Sequence, residues 1–284
     1  MDKVINGKLL REEKLALFSE KIKSIPDKLK LVVIQVGENA ASDVYVRNKR
    51  NVCERVGILF KHLKYDSITE DELVSVISGL NNDSSVTGIL VQLPLPEGIN
   101  TENVINSISP LKDVDGLTIK NVGALFSGKP RLVPCTALGV MSILDNIDAN
   151  LEGSNVVVVG RSKLVGLPLV ALLLRENATV TVCHSKTVNL KEKTSQADIL
   201  IVAVGNKEFI KGDFVKKDAI VIDVGINRDS GKLYGDCAFD EVVGKCKYIT
   251  PVPGGVGPLT ITYLINNVIE AYHLQKKEDR KSVV

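Results

Sequence analysis

Short runs rich in Val, Ile and Leu alternate along this chain with stretches whose apolar residues recur at helical spacing, the rhythm of an α/β protein. Residues 8–23 predict an ordinary amphipathic first helix. Residues 31–36 read as a strand, 43–56 as a helix and 58–65 as a second strand. Another helix opens at Thr69 with Glu72 three residues on, the spacing of a capping box. A strand at 86–92 follows, and Pro94 and Pro96 end it. Between residues 110 and 134 the pattern turns irregular and rich in Gly, Asp and Pro, as functional loops are. A helix over 136–147 then leads onward.

The valine run at 155–159 is the nearly continuous apolar strand of a parallel sheet covered on both faces. Comparable strands at 179–183, 199–204 and 220–224, separated by helical stretches, predict a doubly wound sheet with right-handed crossovers. Residues 259–273 read as a last helix returning to the first lobe, with a charged tail from 275 that frays. The expected architecture is therefore α/β in two lobes with a cleft between them. An N-terminal α/β substrate domain takes residues 1–138 plus 262–284, and a C-terminal Rossmann-like domain takes 139–261.

Composition narrows the partners. The 36 basic and 34 acidic side chains among 284 residues nearly cancel and are spread along the chain, so no footprint for nucleic acid appears and a small-molecule partner is expected. Cys53, Cys135, Cys183, Cys237 and Cys246 are odd in number and widely spaced, without a CxxC or Cys/His pattern, which reads as reduced thiols and no metal site. The first residues lack the apolar core of a secretory signal, Glu12, Glu13 and Glu20 argue against a transit peptide, and no apolar run approaches the ~20 residues that span a bilayer. A cytoplasmic protein that binds no membrane is the expectation.

The first chemical signal follows the valine strand. Gly160 closes it, and Gly166 and Pro168 stand near a helix start, so backbone donors would point where a pyrophosphate could sit. The segment is not a clean GxGxxG, and by itself such a turn is a weak sign. The next strand sharpens it. Where NAD-preferring folds place a carboxylate for the ribose 2′-hydroxyl, this chain has Cys183, His184, Ser185, Lys186 and Thr187. Donors and positive charge, joined by Arg161, favour a 2′-phosphate and hence NADP over a merely solvated loop. Gly205 and the segment Asp223-Val224-Gly225-Ile226-Asn227 put glycine at later strand ends, where a bulky side chain would obstruct the nicotinamide or its ribose, although Asp223 could instead cap a loop.

A second signal is Tyr45 and Lys49, at i and i+4 on the helix for which Ser42 is the N-cap candidate. Spacing alone favours a packed tyrosine beside a surface lysine. The short-chain dehydrogenases use the same spacing, but there the pair follows the cofactor glycines within one domain, whereas Lys49 precedes Gly160 and lies in a separate lobe. A reactive pair on one lobe and a dinucleotide on the other would bind substrate in the cleft.

Taken together, the motifs resemble the bifunctional methylenetetrahydrofolate dehydrogenase/methenyltetrahydrofolate cyclohydrolases. The match covers almost the whole chain: the stretch from Val36 through Ser42 leading to Tyr45 and Lys49, Gly88 through Pro96, Lys112-Asp113-Val114-Asp115-Gly116, and Pro134-Cys135-Thr136. Gly160-Arg161-Ser162, His184 through Thr187, Asp223 through Asn227, and Thr250 through Thr260 follow in the same order. Ala137 stands where members often have proline, and Leu259 where they have methionine or threonine; neither is a proposed catalytic group.

The resemblance implies oxidation of 5,10-methylenetetrahydrofolate with NADP, then hydrolysis of the methenyl cation to 10-formyltetrahydrofolate, in a homodimer. It implies that Lys49 is the catalytic lysine, partly deprotonated by desolvation or by the substrate cation. By the same resemblance Gln92 hydrogen-bonds Lys49 and positions water, Tyr45 stacks on the folate ring, and Asp115 takes the amino-pyrimidine edge of the pterin. Asp113 is given no catalytic role. Val91, Leu93, Pro253, Gly254 and Gly257 join the substrate contacts, and Gly160, Arg161, Ser162, Ser185, Gly205 and Ile226 serve the cofactor. Alternatives are a relative with only one of the two activities, a binding module without turnover, and an unrelated NADP dehydrogenase.

Overall fold

The structure, a computed structural model, describes residues 3–282. The chain begins with α1 (Gly7–Lys23), β1 (Lys30–Val36), α2 (Ala40–Val56), β2 (Leu59–Tyr65), α3 (Glu70–Asn82) and β3 (Gly88–Val91), followed by the short α4 (Thr101–Asn106) and α5 (Ile119–Phe126) and by α6 (Cys135–Asn146). It continues through β4 (Asn155–Val159), α7 (Gly166–Arg175), β5 (Thr179–Cys183), α8 (Leu190–Thr194), β6 (Ile199–Val202) and β7 (Ile220–Asp223). The hairpin β8 (Asn227–Asp229) and β9 (Lys232–Tyr234), α9 (Phe239–Val242), β10 (Tyr248–Ile249) and the long α10 (Gly257–Ser282) complete it.

These elements form two compact units. Lys14–Cys135 joins the chain from Ile261 onward in one, here the first unit; Thr136–Thr260 joins the residues up to Glu13 in the other. The N-terminal segment thus groups with the second unit, whereas pattern alone put it in the first lobe. The reason is pairing: Val4 bridges Ile249 in parallel, the Ile5 N–H donates to the Ile249 carbonyl at 2.9 Å, and the Ile249 N–H donates to the Lys3 carbonyl at 2.9 Å. Those bonds give β10 a neighbour on its free edge.

In the first unit the parallel sheet runs β2-β1-β3. Central β1 buries both faces, as strand alternation dictates when each face is covered. Leu31 and Val33 join Leu15, Phe18, Val46, Val52, Leu264 and Val268 on one side. Val32, Ile34 and Val36 join Leu73, Ile77, Ile89, Val104 and Ile105 on the other. In the second unit the parallel order is β10-β7-β6-β4-β5, and the valine strand sits inside, with Val156 through Val159 no more than 1% exposed. At roughly 1.5–3 kcal/mol for each fully buried Val or Leu, these central strands outweigh any single surface contact.

Three local expectations change. Helix α2 starts a turn earlier, because the Asn39 side chain, not Ser42, is the cap: its Oδ1 accepts from the Ser42 N–H at 3.0 Å. The stretch between 110 and 134 contains α5, whose first turn is closed by Thr118 accepting from Asn121 N–H. Helix α10 does not fray at 275 but runs to Ser282. The Gln275 amide donates to the Thr87 carbonyl at 2.9 Å and the Leu111 carbonyl at 3.2 Å, and Lys276 pairs with Asp27 at 2.9 Å. The Thr69–Glu72 capping box and the 155–159 and 179–183 strands are found as expected. Among the described residues no helix is long and apolar enough to cross a membrane.

Candidate active site

Helix α2 buries Ser42, Val46, Cys53 and Val56 along one stripe, and Lys49 falls on that same stripe, where helical periodicity calls for an apolar residue. Lys49 is consequently half-buried while Tyr45, one turn earlier, is 44% exposed, the reverse of the ordinary arrangement of such a pair. Burial lowers the Lys49 pKa below its usual value of 10.5, opposed chiefly by the negative charge of Asp115. Its Nζ donates to Gln92 Oε1 at 2.8 Å. Gln92 follows β3, and its Nε2 donates to the Leu93 carbonyl at 2.8 Å, so both ends of the amide are fixed and its oxygen is turned toward the lysine.

The loop before α5 carries two carboxylates with different employment. Asp113, 1% exposed, accepts from the N–H of Leu117 (3.2 Å), the N–H of Thr118 (2.8 Å) and Asn121 Nδ2 (2.9 Å). It staples the loop to the start of α5. Asp115 has one hydrogen-bond partner among the described residues, the Cys135 thiol at 3.7 Å. Burial raises its pKa, and the Lys49 charge opposes that rise. Desolvation raises the Cys135 and Cys53 pKa values, the latter to about 12, which disfavours the thiolate form at both.

Asp115 is held from both sides. Asn267 on α10 donates its amide to the carbonyls of Val114 and Val133, each at 2.8 Å. Gly116 has φ +70°, and a Cβ there would lie 2.6 Å from the Val133 carbonyl carbon. The first unit thus brings Lys49, Gln92 and Asp115 together, with Tyr45 beside them on α2. Val91, whose whole residue is only 2% exposed, turns its side chain into the core and offers a ligand almost no surface.

In the second unit the cofactor candidates gather at the carboxyl ends of neighbouring strands. Gly160, at φ +123°, ends β4 with its N–H donating to the Cys183 carbonyl of β5 at 2.8 Å, and a Cβ there would overlap the Ala203 carbonyl. A Cβ on Gly166 would overlap the Gly160 carbonyl, so the turn is tight enough for α7 to present its N-terminus directly behind the strand. Arg161, Ser162 and Ser185 are exposed around it, and Ser162 Oγ accepts from the Val165 N–H at 3.1 Å. This cradle, with cationic and hydroxyl donors beside it, fits a dinucleotide phosphate.

Gly205 follows β6 and Ile226 follows β7. Ile226 lines a cavity of about 160 Å3 together with Lys8, Pro253, Gly254 and Gly257, so this unit groups one cofactor candidate with three substrate candidates. Asp223 proves to be a loop fastener: it accepts from the N–H groups of Gly225 (2.9 Å), Asp236 (2.9 Å) and Cys237 (2.8 Å), and burial nevertheless raises its pKa to about 6. Sequence pattern does not single out Asp236. Its one sequence cue, Gly235-Asp236 just after a short polar hairpin, is shared by ordinary turns. Among the described residues no cluster of three or more metal-ligating side chains occurs.

Residues 5–115 match the family description "Tetrahydrofolate dehydrogenase/cyclohydrolase, catalytic domain", and residues 134–276 match "Tetrahydrofolate dehydrogenase/cyclohydrolase, NAD(P)-binding domain". The Bifunctional protein FolD of Agathobacter rectalis is 50% identical over 95% of this chain and 99% of its own length. The crystal structure of the bifunctional FolD methylenetetrahydrofolate dehydrogenase/cyclohydrolase from Campylobacter jejuni is 45% identical, with a TM-score of 0.93 over 96% of this chain and 99% of that one. The Trypanosoma brucei methylenetetrahydrofolate dehydrogenase-cyclohydrolase, solved with NADP cofactor and inhibitor, is 34% identical, with a TM-score of 0.91 over 96% of this chain and 97% of that one.

Proposed function

The chain belongs to the tetrahydrofolate dehydrogenase/cyclohydrolase family, and from that premise we propose that it oxidises 5,10-methylenetetrahydrofolate with NADP and hydrolyses the resulting methenyl cation to 10-formyltetrahydrofolate. The observation that carries this reading is the half-buried Lys49, hydrogen-bonded to Gln92 with Asp115 close by, on a chain whose other unit has a dinucleotide-type turn at Gly160. In this reading the first unit supplies Tyr45, Lys49, Gln92 and Asp115 for the folate, and the second supplies the dinucleotide turn together with the substrate candidates Pro253, Gly254 and Gly257.

Hydration needs a group that removes a proton from water and returns one to a folate nitrogen. Desolvation biases Lys49 toward its neutral amine, and an adjacent substrate cation biases it further. A neutral amine still donates one N–H to Gln92 Oε1 while its lone pair accepts the proton of the attacking water. The water oxygen bonds to the methenyl carbon, one ring C–N bond breaks, and the released nitrogen takes a proton. Asp115, with lone pairs left over, receives the two adjacent N–H groups of the pterin edge, and Tyr45 offers its exposed ring to the folate.

When bound, NADP supplies the acceptor for a hydride from the bridge carbon. The chain's part in that step is orientation. Gly160, Ser162 and the start of α7 receive the pyrophosphate; Arg161 and Ser185 receive the 2′-phosphate, a preference consistent with the missing carboxylate after β5. Gly205 and Ile226, with the backbone of Pro253, Gly254 and Gly257, border the reacting rings. A homodimer in the cytoplasm completes the proposal, and five free, buried thiols suit a reducing compartment.

One assay tests the whole reading. With methylenetetrahydrofolate and NADP, reduced-nicotinamide absorbance should rise while methenyl absorbance passes through a low steady state, and NAD should serve less well. No reduction of NADP would sink it, and methenylfolate accumulating without hydrolysis would leave a dehydrogenase alone.

A further inference from the structure

Two buried carboxylates lock into each other's loops beyond β6 and β7. Asp236, with no exposed surface, accepts at Oδ2 from the N–H groups of Val204 (2.7 Å) and Gly205 (3.0 Å), and at Oδ1 from the Asn206 N–H (2.9 Å) and Asn227 Nδ2 (2.9 Å). Asp223 in turn holds the backbone of Gly225, Asp236 and Cys237. The fit is reciprocal: a Cβ on Gly225 would overlap the Asp236 carboxyl, and one on Gly235 would overlap that of Asp223.

Three consecutive N–H groups converging on one point form an anion nest, the device by which many loops bind phosphate. Here the nest of Val204, Gly205 and Asn206 is filled by the protein's own carboxylate, so those amides are not free for a cofactor phosphate. What the two loops turn outward is different: Val204, after β6, is 38% exposed, and Ile226, after β7, is 48% exposed. The strand order adds direction. Beta strands β6 and β7 lie on the opposite side of β4 from β5, whose end carries Ser185. A dinucleotide with its 2′-phosphate at Ser185 and its pyrophosphate at Gly160 therefore lays its other half over the β6 and β7 ends.

We propose that Asp236 is a positioning residue for the nicotinamide half of the dinucleotide. By occupying the 204–206 nest it fixes the backbone edge on which that half rests and keeps this loop from acting as a second phosphate site. The inference rests on the reading that the second unit binds NADP. It assigns Asp236 no contact with the substrate and no part in hydration.

The test is Asp236→Asn, which keeps the shape but turns an NH2 group toward backbone donors. KM and the dissociation constant should rise about tenfold or more for NADP and for NAD alike, the scale of losing a charge-assisted hydrogen-bond set. The ratio between the cofactors should stay as in the wild type, and hydrolysis of methenyltetrahydrofolate and its KM should stay within about twofold. Arg161→Ala is the contrast, since it should weaken NADP and spare NAD. If Asp236→Asn also loses hydrolysis, Gly225→Ala, which displaces the carboxylate without removing it, should give the same parallel rise and decides the matter. Wild-type cofactor constants in the folded variants, or a loss confined to NADP, would overturn the proposal while leaving the NADP reading intact. A wild-type enzyme that reduces no NADP would instead remove the premise.

Discussion

Asp115 in the first unit and Asp236 in the second are both carboxylates withdrawn from solvent on loops beside a sheet, and they are employed in opposite ways. Asp236 has four donors, three of them consecutive backbone amides, and every lone pair in reach is occupied. Asp115 has a thiol at 3.7 Å and the charge of a half-buried lysine. A carboxylate surrounded by backbone N–H groups fixes a shape; one left short of donors in a desolvated place keeps its lone pairs for a ligand. The same contrast appears two residues apart within one loop, where Asp113 fastens α5 and Asp115 does not.

The largest expected effect comes from removing the group that faces Asp115. Lys49→Met should lower methenyltetrahydrofolate hydrolysis by about 100-fold to 10,000-fold, the range for loss of a general acid-base group, with the NADP dissociation constant unchanged. Stopped-flow decay of methenyl absorbance measures the first and fluorescence titration the second; near-normal hydrolysis would end the contrast drawn between the two units. The converse variant is Gly160→Ala, whose Cβ would overlap the Ala203 carbonyl at a positive φ. Overpacking and backbone strain together cost about 3 kcal/mol of stability unless the turn shifts, and a shifted turn should weaken NADP binding about tenfold or more while hydrolysis survives.

A smaller effect sharpens the electrostatics. Asp115→Asn should weaken folate binding by about tenfold, as loss of a charged hydrogen bond does. It also removes the main influence holding the Lys49 pKa up, so the Lys49 pKa should fall further. Residual hydrolysis depends on the neutral amine and rises with pH as Lys49 deprotonates. Its limb should therefore move to lower pH in Asp115→Asn, and a limb moved to higher pH would reverse the assigned sign.

Much of this was legible in sequence, for physical reasons that differ by residue. The 155–159 strand was plain because a strand buried on both faces admits little but Val and Ile. Gly160 and Gly166 were visible because no other residue fits so close to the Ala203 and Gly160 carbonyls. The Asn39 cap was hidden by Ser42, an equally good capping residue one turn on, and α5 by its brevity, since eight residues barely repeat a helical period. The resemblance pointed to Lys49, whereas spacing alone favoured a surface lysine; the signal that could have found it is the column of Val46, Lys49, Cys53 and Val56, in which a lysine stands among apolar residues. Asp236 was out of reach because its partners lie 30–32 residues away, and nothing local distinguishes a carboxylate that will meet three distant amides.

Titration of the Lys49 side-chain nitrogen by NMR, in enzyme labelled at its lysines and assigned with Lys49→Arg, bears most directly on whether this lysine is poised as a base. The expected midpoint lies below the 10.5 of an ordinary lysine, and it falls again in Asp115→Asn. A midpoint at or above 10.5 would mean that Lys49 remains an ammonium at neutral pH, and that hydration is driven by some other group.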